Sequence, residues 1–199
     1  MEAKLFNKWE YNVTVEDGAL RPYIHLLPVA IPHTFGRRGR RKKGVKKGIV
    51  ERLANSLMRG GTGKKVGGRV IRTHGRLQGR KSRVIRSIRE AFDIVSEKTK
   101  QNPIQVLINA ITNAAPREDV THVQYGGVRY QVAVDVSPQR RLSMALRNIA
   151  MAAIMASFDK KDTLSEALAN ELVLSASADP NSYAVKRRDE IERIARSSR

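Results

Sequence analysis

The sequence predicts a mainly α domain of six helices, with a β-hairpin arm between the third and fourth and an extended basic arm ahead of the first. Three observations carry that expectation. Apolar residues recur at helical spacing through most of 49–196. The period changes from 3.6 to 2 across 120–136. Residues 36–48 hold eight basic residues in thirteen and no acid. Such a block repels itself, cannot build a core, and is expected to stay disordered until it meets an anion.

Taken in order, residues 1–35 contain strand-like pieces at 11–15 and 23–27, broken by Asp17-Gly18, Pro22, Pro28 and Pro32. They read as an extended arm packed on something, with Trp9 as its anchor. Helix one spans 49–59, with Val50, Leu53, Ala54 and Leu57 on one face, and Gly60-Gly61 ends it. Residues 62–79 form a Gly-rich basic loop. Helix two covers 81–100, with Val84, Ile85, Ile88, Phe92 and Val95 buried and Arg83, Arg86 and Glu90 on the other side. Asn102-Pro103 starts helix three: Asn caps, and Pro sits where its missing N–H costs nothing. Ile104, Leu107, Ile108, Ile111 and Ala114 form its apolar face, and it stops near Pro116.

Thr121, Val123 and Tyr125 then alternate with polar residues, as do Val128, Tyr130, Val132, Val134 and Val136. Gly126-Gly127 between them signals a two-residue turn. That turn pairs Tyr125 with Val128, Val123 with Tyr130 and Thr121 with Val132 on one face. An isolated hairpin is marginal in water, so this one leans on the helices at its base and projects at its tip. Ser137-Pro138 repeats the cap-then-proline start for helix four, which runs to Ser157 with Leu142, Ala145, Leu146, Ile149, Ala153 and Ile154 inside. Thr163 and Glu166 make a capping box for helix five, with Leu164, Ala167, Leu168 and Leu172 buried. Helix six spans 182–196, with Ile191, Ile194 and Ala195 as its short apolar face. The expected division is an arm at 1–48 and a helical domain at 49–199.

The charge is concentrated. Residues 36–89 hold twenty Lys or Arg and one acid, Glu51, so this segment carries the whole formal charge of +19. A merely soluble surface mixes signs. A cationic belt of this kind asks for a polyanion, and nucleic acid is the first candidate. The absence of cysteine excludes a disulfide scaffold, a thiolate zinc site and a Cys nucleophile. No apolar run approaches the roughly 20 residues that span a bilayer. The start, MEAKLFNKWEY, lacks the layout of a signal peptide, and a cytosolic protein is expected.

Candidate chemistry is sparse. Gly60-Gly61-Thr62-Gly63-Lys64-Lys65 suggests a nucleotide phosphate loop, but Met58 stands where its first Gly belongs and Lys65 where Ser or Thr belongs. A basic turn meeting a nucleic-acid backbone fits better. His25, His33, His74 and His122 are scattered, which gives metal ligation no support. Glu118, Asp119 and Asp135 would be the carboxylates of a Mg²⁺-dependent nuclease; local salt bridges and turn caps explain them as well. Ser137 has no base at motif spacing and reads as a cap. Tyr125 and Tyr130 either stack on bases or pack across strands. Binding RNA, shaping DNA with the hairpin as a groove-inserting arm, and cleaving nucleic acid are the readings that this composition admits.

The stretch Asn102-Pro103-Ile104-Gln105-Val106-Leu107, then Asn113 to Asp119, Val132 to Arg141 and Ala145-Leu146-Arg147, closely resembles the small-subunit ribosomal protein seven family. Glu51-Arg52-Leu53, Leu57 to Gly61, Gly63-Lys64-Lys65, Glu166 to Leu172 and Lys186 to Ala195 extend the resemblance over nearly the whole chain. Trp9-Glu10-Tyr11 and Pro32-His33 are similar to the arm of archaeal and eukaryotic members. The resemblance implies a non-enzymatic constituent of the small ribosomal subunit in the cytoplasm. It implies binding to the 3′ major domain of small-subunit ribosomal RNA, nucleation of head assembly, and a place beside exit-site tRNA and mRNA and neighbouring ribosomal proteins. Neither membrane, cofactor, metal nor small-molecule substrate is implied. Carried over by position, the RNA-facing residues are Arg37, Arg38, Arg40, Arg41, Lys42, Lys43, Lys46, Lys47, Lys64, Lys65, Arg72, Arg76, Arg80, Lys81, Arg140, Arg141 and Arg147. The part of the hairpin next to tRNA and mRNA is Tyr125, Gly126, Gly127, Val128, Arg129 and Tyr130.

Overall fold

A computed structural model describes residues 3–34, 47–60, 62–66, 69–72 and 76–198, with side chains at all of these except 62–66, 69–70, 72 and 125. The basic block at 37–46 and His74 lie outside the described residues.

The order is α1 (Ile49–Met58), β1 (Thr62–Val66), β2 (Arg69–Arg72), α2 (Lys81–Thr99), α3 (Pro103–Ala114), β3 (Glu118–Tyr125), β4 (Val128–Asp135), α4 (Pro138–Ser157), α5 (Leu164–Ala176) and α6 (Tyr183–Ser197). Six helices with a hairpin between the third and fourth is the expected architecture. The core is aliphatic, and Phe92 is its largest fully buried side chain. α5 packs against α2, α3 and α4, which places it at the centre of the bundle. The expected apolar faces of α1 to α4 are all buried.

Local chemistry explains the boundaries. Asn102 Oδ1 accepts the Ile104 N–H at 3.0 Å, with Pro103 in the first turn of α3. Thr163 and Glu166 close a reciprocal capping box at α5. Lys100 ends α2 in the left-handed conformation, and its N–H donates to Ser96 O at 2.9 Å. Ser137 occupies the cap position of α4 but makes no side-chain cap bond; Pro138 alone sets that start.

Two expectations about local structure change. Residues 62–79 are not simply a loop: β1 and β2 pair antiparallel, with an irregularity between Thr62 and Lys65. The pieces at 11–15 and 23–27 are not strands. Polar side chains of α3 hold the first one instead, with Asn102 Nδ2 donating to Glu10 O at 2.8 Å. Gln105 both accepts from Thr14 N–H (2.9 Å) and donates to Thr14 O (3.0 Å). Pro22 opens a single 3₁₀ turn at Arg21–Tyr23 ahead of the second.

Trp9 meets Phe92 edge to face at 5.8 Å and Phe6 at 6.0 Å, so it anchors the segment as expected. Lys8 Nζ reaches Asp93 at 2.6 Å, and Arg141 reaches Asp17 at 2.9 Å. These contacts seat residues 3–34 on α2, α3 and α4.

The long hairpin has the expected register, with Val123 opposite Tyr130 and Tyr125 opposite Val128. Gly126 and Gly127 have φ of 57° and 84°, the left-handed pair that a type I′ turn needs. At the base, Val136 N–H donates to Arg117 O at 2.9 Å, and Glu192 of α6 accepts the Arg117 N–H at 3.0 Å. α6 is held through Ala184, Val185 and Ala195, while Ile191 is half-buried and Ile194 exposed. The helix is fixed by Ala184 and Val185 in its first turn and by Ala195, the buried member of the expected stripe.

Candidate nucleic-acid interface

On α2 the core stripe fixes everything else. With Val84, Ile85, Ile88, Phe92 and Val95 inward, the spacing of three turns Arg83, Arg86 and Arg89 outward together. Arg76 and Arg80, just ahead of the helix, are exposed as well. Among the described residues none of these five has an ion-pair partner; the carboxylates that pair in this molecule pair elsewhere. Unneutralised guanidinium groups on one rigid helix are a phosphate-binding array by chemistry.

A second cluster forms where α1 meets α4. Arg52 of α1 donates to Ser143 Oγ at 3.2 Å and to Tyr23 O at 3.4 Å. Burial pushes its guanidinium below the usual arginine value. Ser143 lies three residues after Arg140 and four before Arg147, so all three share one face of α4. Arg147 is exposed and without a partner among the described residues, whereas Arg140, also exposed, meets Asp119 at 2.8 Å.

A cleft of about 770 Å³ lies between the start of α2 and the α4–α5 connection. Arg76, Arg83 and Arg86 line it together with Asp159 and Asp162, and Ile154 and Phe158 are among its apolar lining.

Two of the basic residues expected to face RNA are turned to internal use. Arg141 is buried and paired with Asp17. Burial raises the Asp17 carboxyl, but the Ala19 N–H and the Arg141 charge outweigh it and hold the group below the usual aspartate value. Arg141 belongs to the inward face beside Leu142 and Ala145, one step around the helix from Arg140. Lys81 is half-buried against Glu51 of α1, with Nζ to Oε1 at 2.5 Å. Glu51 also accepts from Thr34, from Oγ1 at 2.9 Å and from N–H at 3.2 Å. Burial pushes the Glu51 carboxyl up, and the Lys81 and Thr34 bonds more than reverse this, leaving it below the usual glutamate value. The belt's one acid is therefore a strut joining α1, α2 and the end of the N-terminal segment.

The remaining expected residues divide as follows. Arg76, Arg80, Arg140 and Arg147 are at the surface, and Lys47 is half-buried before α1. Lys64, Lys65 and Arg72 lie on β1 and β2, with side chains outside the described residues. Arg37, Arg38, Arg40, Arg41, Lys42, Lys43 and Lys46 lie outside them entirely. In the hairpin tip Gly126, Gly127, Val128, Arg129 and Tyr130 are exposed. Arg83, Arg86 and Arg89 were absent from the expected site; their i, i+3 spacing opposite the α2 core stripe is the signal that marks them.

Asp119, one of the carboxylates that a nuclease would use, is otherwise engaged. Asp119 takes Arg140 and the Val120 N–H, and Glu118 sits across the ladder from Asp135. Among the described residues no group of three or more His, Cys, Asp or Glu is placed to hold a metal ion. No helix among them is long and apolar enough to cross a membrane.

A helical bundle carrying an arginine array, with a projecting hairpin, is thus the form the chain takes. The family model of ribosomal protein S7p/S5e matches residues 21–199. The chain belongs to the ribosomal protein S7p/S5e family, whose members are structural, non-enzymatic proteins of the small ribosomal subunit that bind its RNA and sit among other ribosomal proteins.

Proposed function

We propose that the chain binds the 3′ major domain of small-subunit ribosomal RNA, nucleates assembly of the head, and lies at the subunit interface beside exit-site tRNA and mRNA. The observation that carries the RNA reading is the unneutralised row Arg76, Arg80, Arg83, Arg86 and Arg89 on and before α2. It stands within a segment holding the chain's entire net charge. Each guanidinium that meets a phosphate releases condensed counterions, and the rigid helix fixes the spacing of those contacts. Arg140 and Arg147 continue the surface across α4. Lys64, Lys65 and Arg72 on the short hairpin, together with the basics of 37–47, extend it along the chain.

In this reading 1–48 acts as an arm and 49–199 as the RNA-binding domain, of the archaeal and eukaryotic-like branch, working in the cytoplasm. Trp9-Glu10-Tyr11 and Pro32-His33 support the branch. The tip of the long hairpin, Tyr125 to Tyr130, reaches toward tRNA and mRNA, supported by the exposure of Gly126 to Tyr130, Arg129 among them.

The test is whether the purified chain alone protects a discrete region of small-subunit ribosomal RNA from chemical probing. With about 6–10 phosphates contacted, affinity should fall roughly 10³–10⁵-fold between 50 and 200 mM salt. A weak salt response, or displacement of the RNA by excess duplex DNA, would sink the proposal. Deleting 124–129 should leave RNA affinity unchanged and alter exit-site tRNA retention in assembled subunits.

A further inference from the structure

The cleft between the start of α2 and the α4–α5 connection holds opposite charges that do not meet. Arg76, Arg83 and Arg86 come from α2 and its approach, Asp159 and Asp162 from the connection. All five are exposed, and none has an ion-pair partner among the described residues. The third acid of the lining, Glu90, accepts the Ser165 hydroxyl at 2.7 Å.

Local structure does not account for the two aspartates. Asp159 has a left-handed backbone, φ 57°, which Asn holds as readily as Asp. Asp162 precedes α5, whose N-terminus favours an anion, but Thr163 and Glu166 already close a capping box there. Phosphate binding does not account for them either, since carboxylates repel a phosphate chain. Between the two walls the lining is apolar: Ile154 is buried, and Leu77, Phe158 and Leu164 are half-buried. At about 770 Å³ the cleft falls within the roughly 300–1,000 Å³ of pockets that take small ligands.

A nucleotide turned out of an RNA helix uses all three surfaces. Its flat base lies on the apolar lining, where Phe158 offers a ring for stacking. Its phosphate meets a guanidinium, and a donor-bearing base edge meets a carboxylate, which only accepts. Guanine alone of the four bases sets two donors, N1–H and N2–H, side by side, as the two oxygens of one carboxylate accept them. The arginine wall belongs to the surface proposed to meet RNA, which favours a nucleotide over a peptide of mixed charge. We propose that this cleft receives one unpaired guanine of the small-subunit ribosomal RNA, with its Watson–Crick edge on Asp159 or Asp162. The inference rests on the RNA-binding reading and adds to it a base contact, which charge neutralisation alone does not supply.

The test binds the purified full-length chain to small-subunit ribosomal RNA and probes unpaired guanines with kethoxal, which attacks N1 and N2. Dimethyl sulfate and a carbodiimide report on the other bases. The Asp159→Asn/Asp162→Asn double variant keeps the side-chain shapes and removes both charges. One guanine reactive in naked RNA should be protected by the wild type and reactive again with the variant. RNA affinity should fall roughly tenfold, as on losing a bidentate base contact. Electrostatics alone predicts the opposite sign, because neutralising two carboxylates beside the arginines should tighten RNA binding. Equal or tighter binding, no guanine that responds to the variant, or a response at another base instead would overturn the proposal. In a second arm, benzoylphenylalanine replaces Ser157 of the cleft lining in assembled small subunits. An adduct to RNA at that guanine is expected; an adduct to a protein would assign the cleft to a peptide and overturn the proposal. Hydroxyl-radical footprinting separates this from the RNA reading. A wild-type footprint without a protected guanine removes the base contact alone, whereas no footprint at all removes the RNA reading and the guanine with it.

Discussion

Replacing Glu51 by alanine should cost about 3 kcal/mol of stability. The carboxylate is buried, at 3% exposure, and its Oε1 receives Lys81 Nζ, Thr34 Oγ1 and the Thr34 N–H. Alanine leaves all three donors without that acceptor. A buried donor left unmade costs about 1–3 kcal/mol. Removing one partner of a buried ion pair costs about 3–5 kcal/mol. The Lys81 side chain retains 17% exposure, so its ammonium regains some water and the total falls at the low end of that range. Glu51→Gln keeps the shape and one acceptor oxygen but not the charge, and should cost roughly half as much.

The assay is urea denaturation of wild type and both variants, followed by far-ultraviolet circular dichroism. Acidification adds a check on sign. The Glu51 pKa is lower folded than unfolded, so its stabilisation is fully present above the unfolded value, about 4.3. It is lost as pH falls through the folded value. The gap between wild type and Glu51→Ala should therefore hold steady from neutral pH to about that point and shrink below it. A variant within about 0.5 kcal/mol of wild type, the size of an ordinary surface change, would refute the strut. A gap that widens on acidification would refute the electrostatic account.

Gly60→Ala should destabilise by about 1–3 kcal/mol, because an added Cβ would lie 1.7 Å from Ile154 Cδ1. The Ile154→Val background, which lacks that methyl, should shrink the penalty in a double-mutant cycle of thermal melts. Asn102→Ala should cost about 1–2 kcal/mol through the lost cap, and Asn102→Asp less, since only the bond to Glu10 O goes; equal losses would show that the cap contributes nothing. Arg147→Ala should reduce the salt slope of RNA binding by just under one, with the melting temperature unchanged. Arg141→Ala should do the reverse, lowering the melting temperature by stranding Asp17 and sparing the slope; filter binding across a salt series separates the two.

What the sequence made legible depended on how local the signal was. Asn102-Pro103 and the Thr163–Glu166 box each act within one turn, so they marked helix starts to the residue. Gly126-Gly127 fixed the hairpin register because a two-residue turn leaves a single pairing. The β1–β2 pair was not legible: its strands are short, rich in Gly, Lys and Arg, and lack alternation. Arg140 and Arg141 look alike in the sequence. What tells them apart is Asp17, 124 positions away, which draws Arg141 inward. Lys81 was hidden in the same way by Glu51. The cationic character of the site could be read directly, whereas the subset of cations left free depended on long-range carboxylates that leave no periodic trace. The N-terminal segment misled for a related reason. Its extended backbone is satisfied by amide side chains of α3, and such bonds obey no strand pattern.

That clasp has a consequence in time. The partners of Lys8, Glu10, Thr14 and Asp17 lie 85, 92, 91 and 124 residues further along the chain. At about 5–20 residues per second of synthesis, the last of them follows its partner by roughly 6–25 s. Within that interval the cationic belt, residues 36–89, is made first with its one internal acid, before α3 and α4 exist for the opening segment to rest on. The newborn chain is therefore a naked polycation among nucleic acids before it is a folded protein, and any factor that shields it must bind on the scale of seconds.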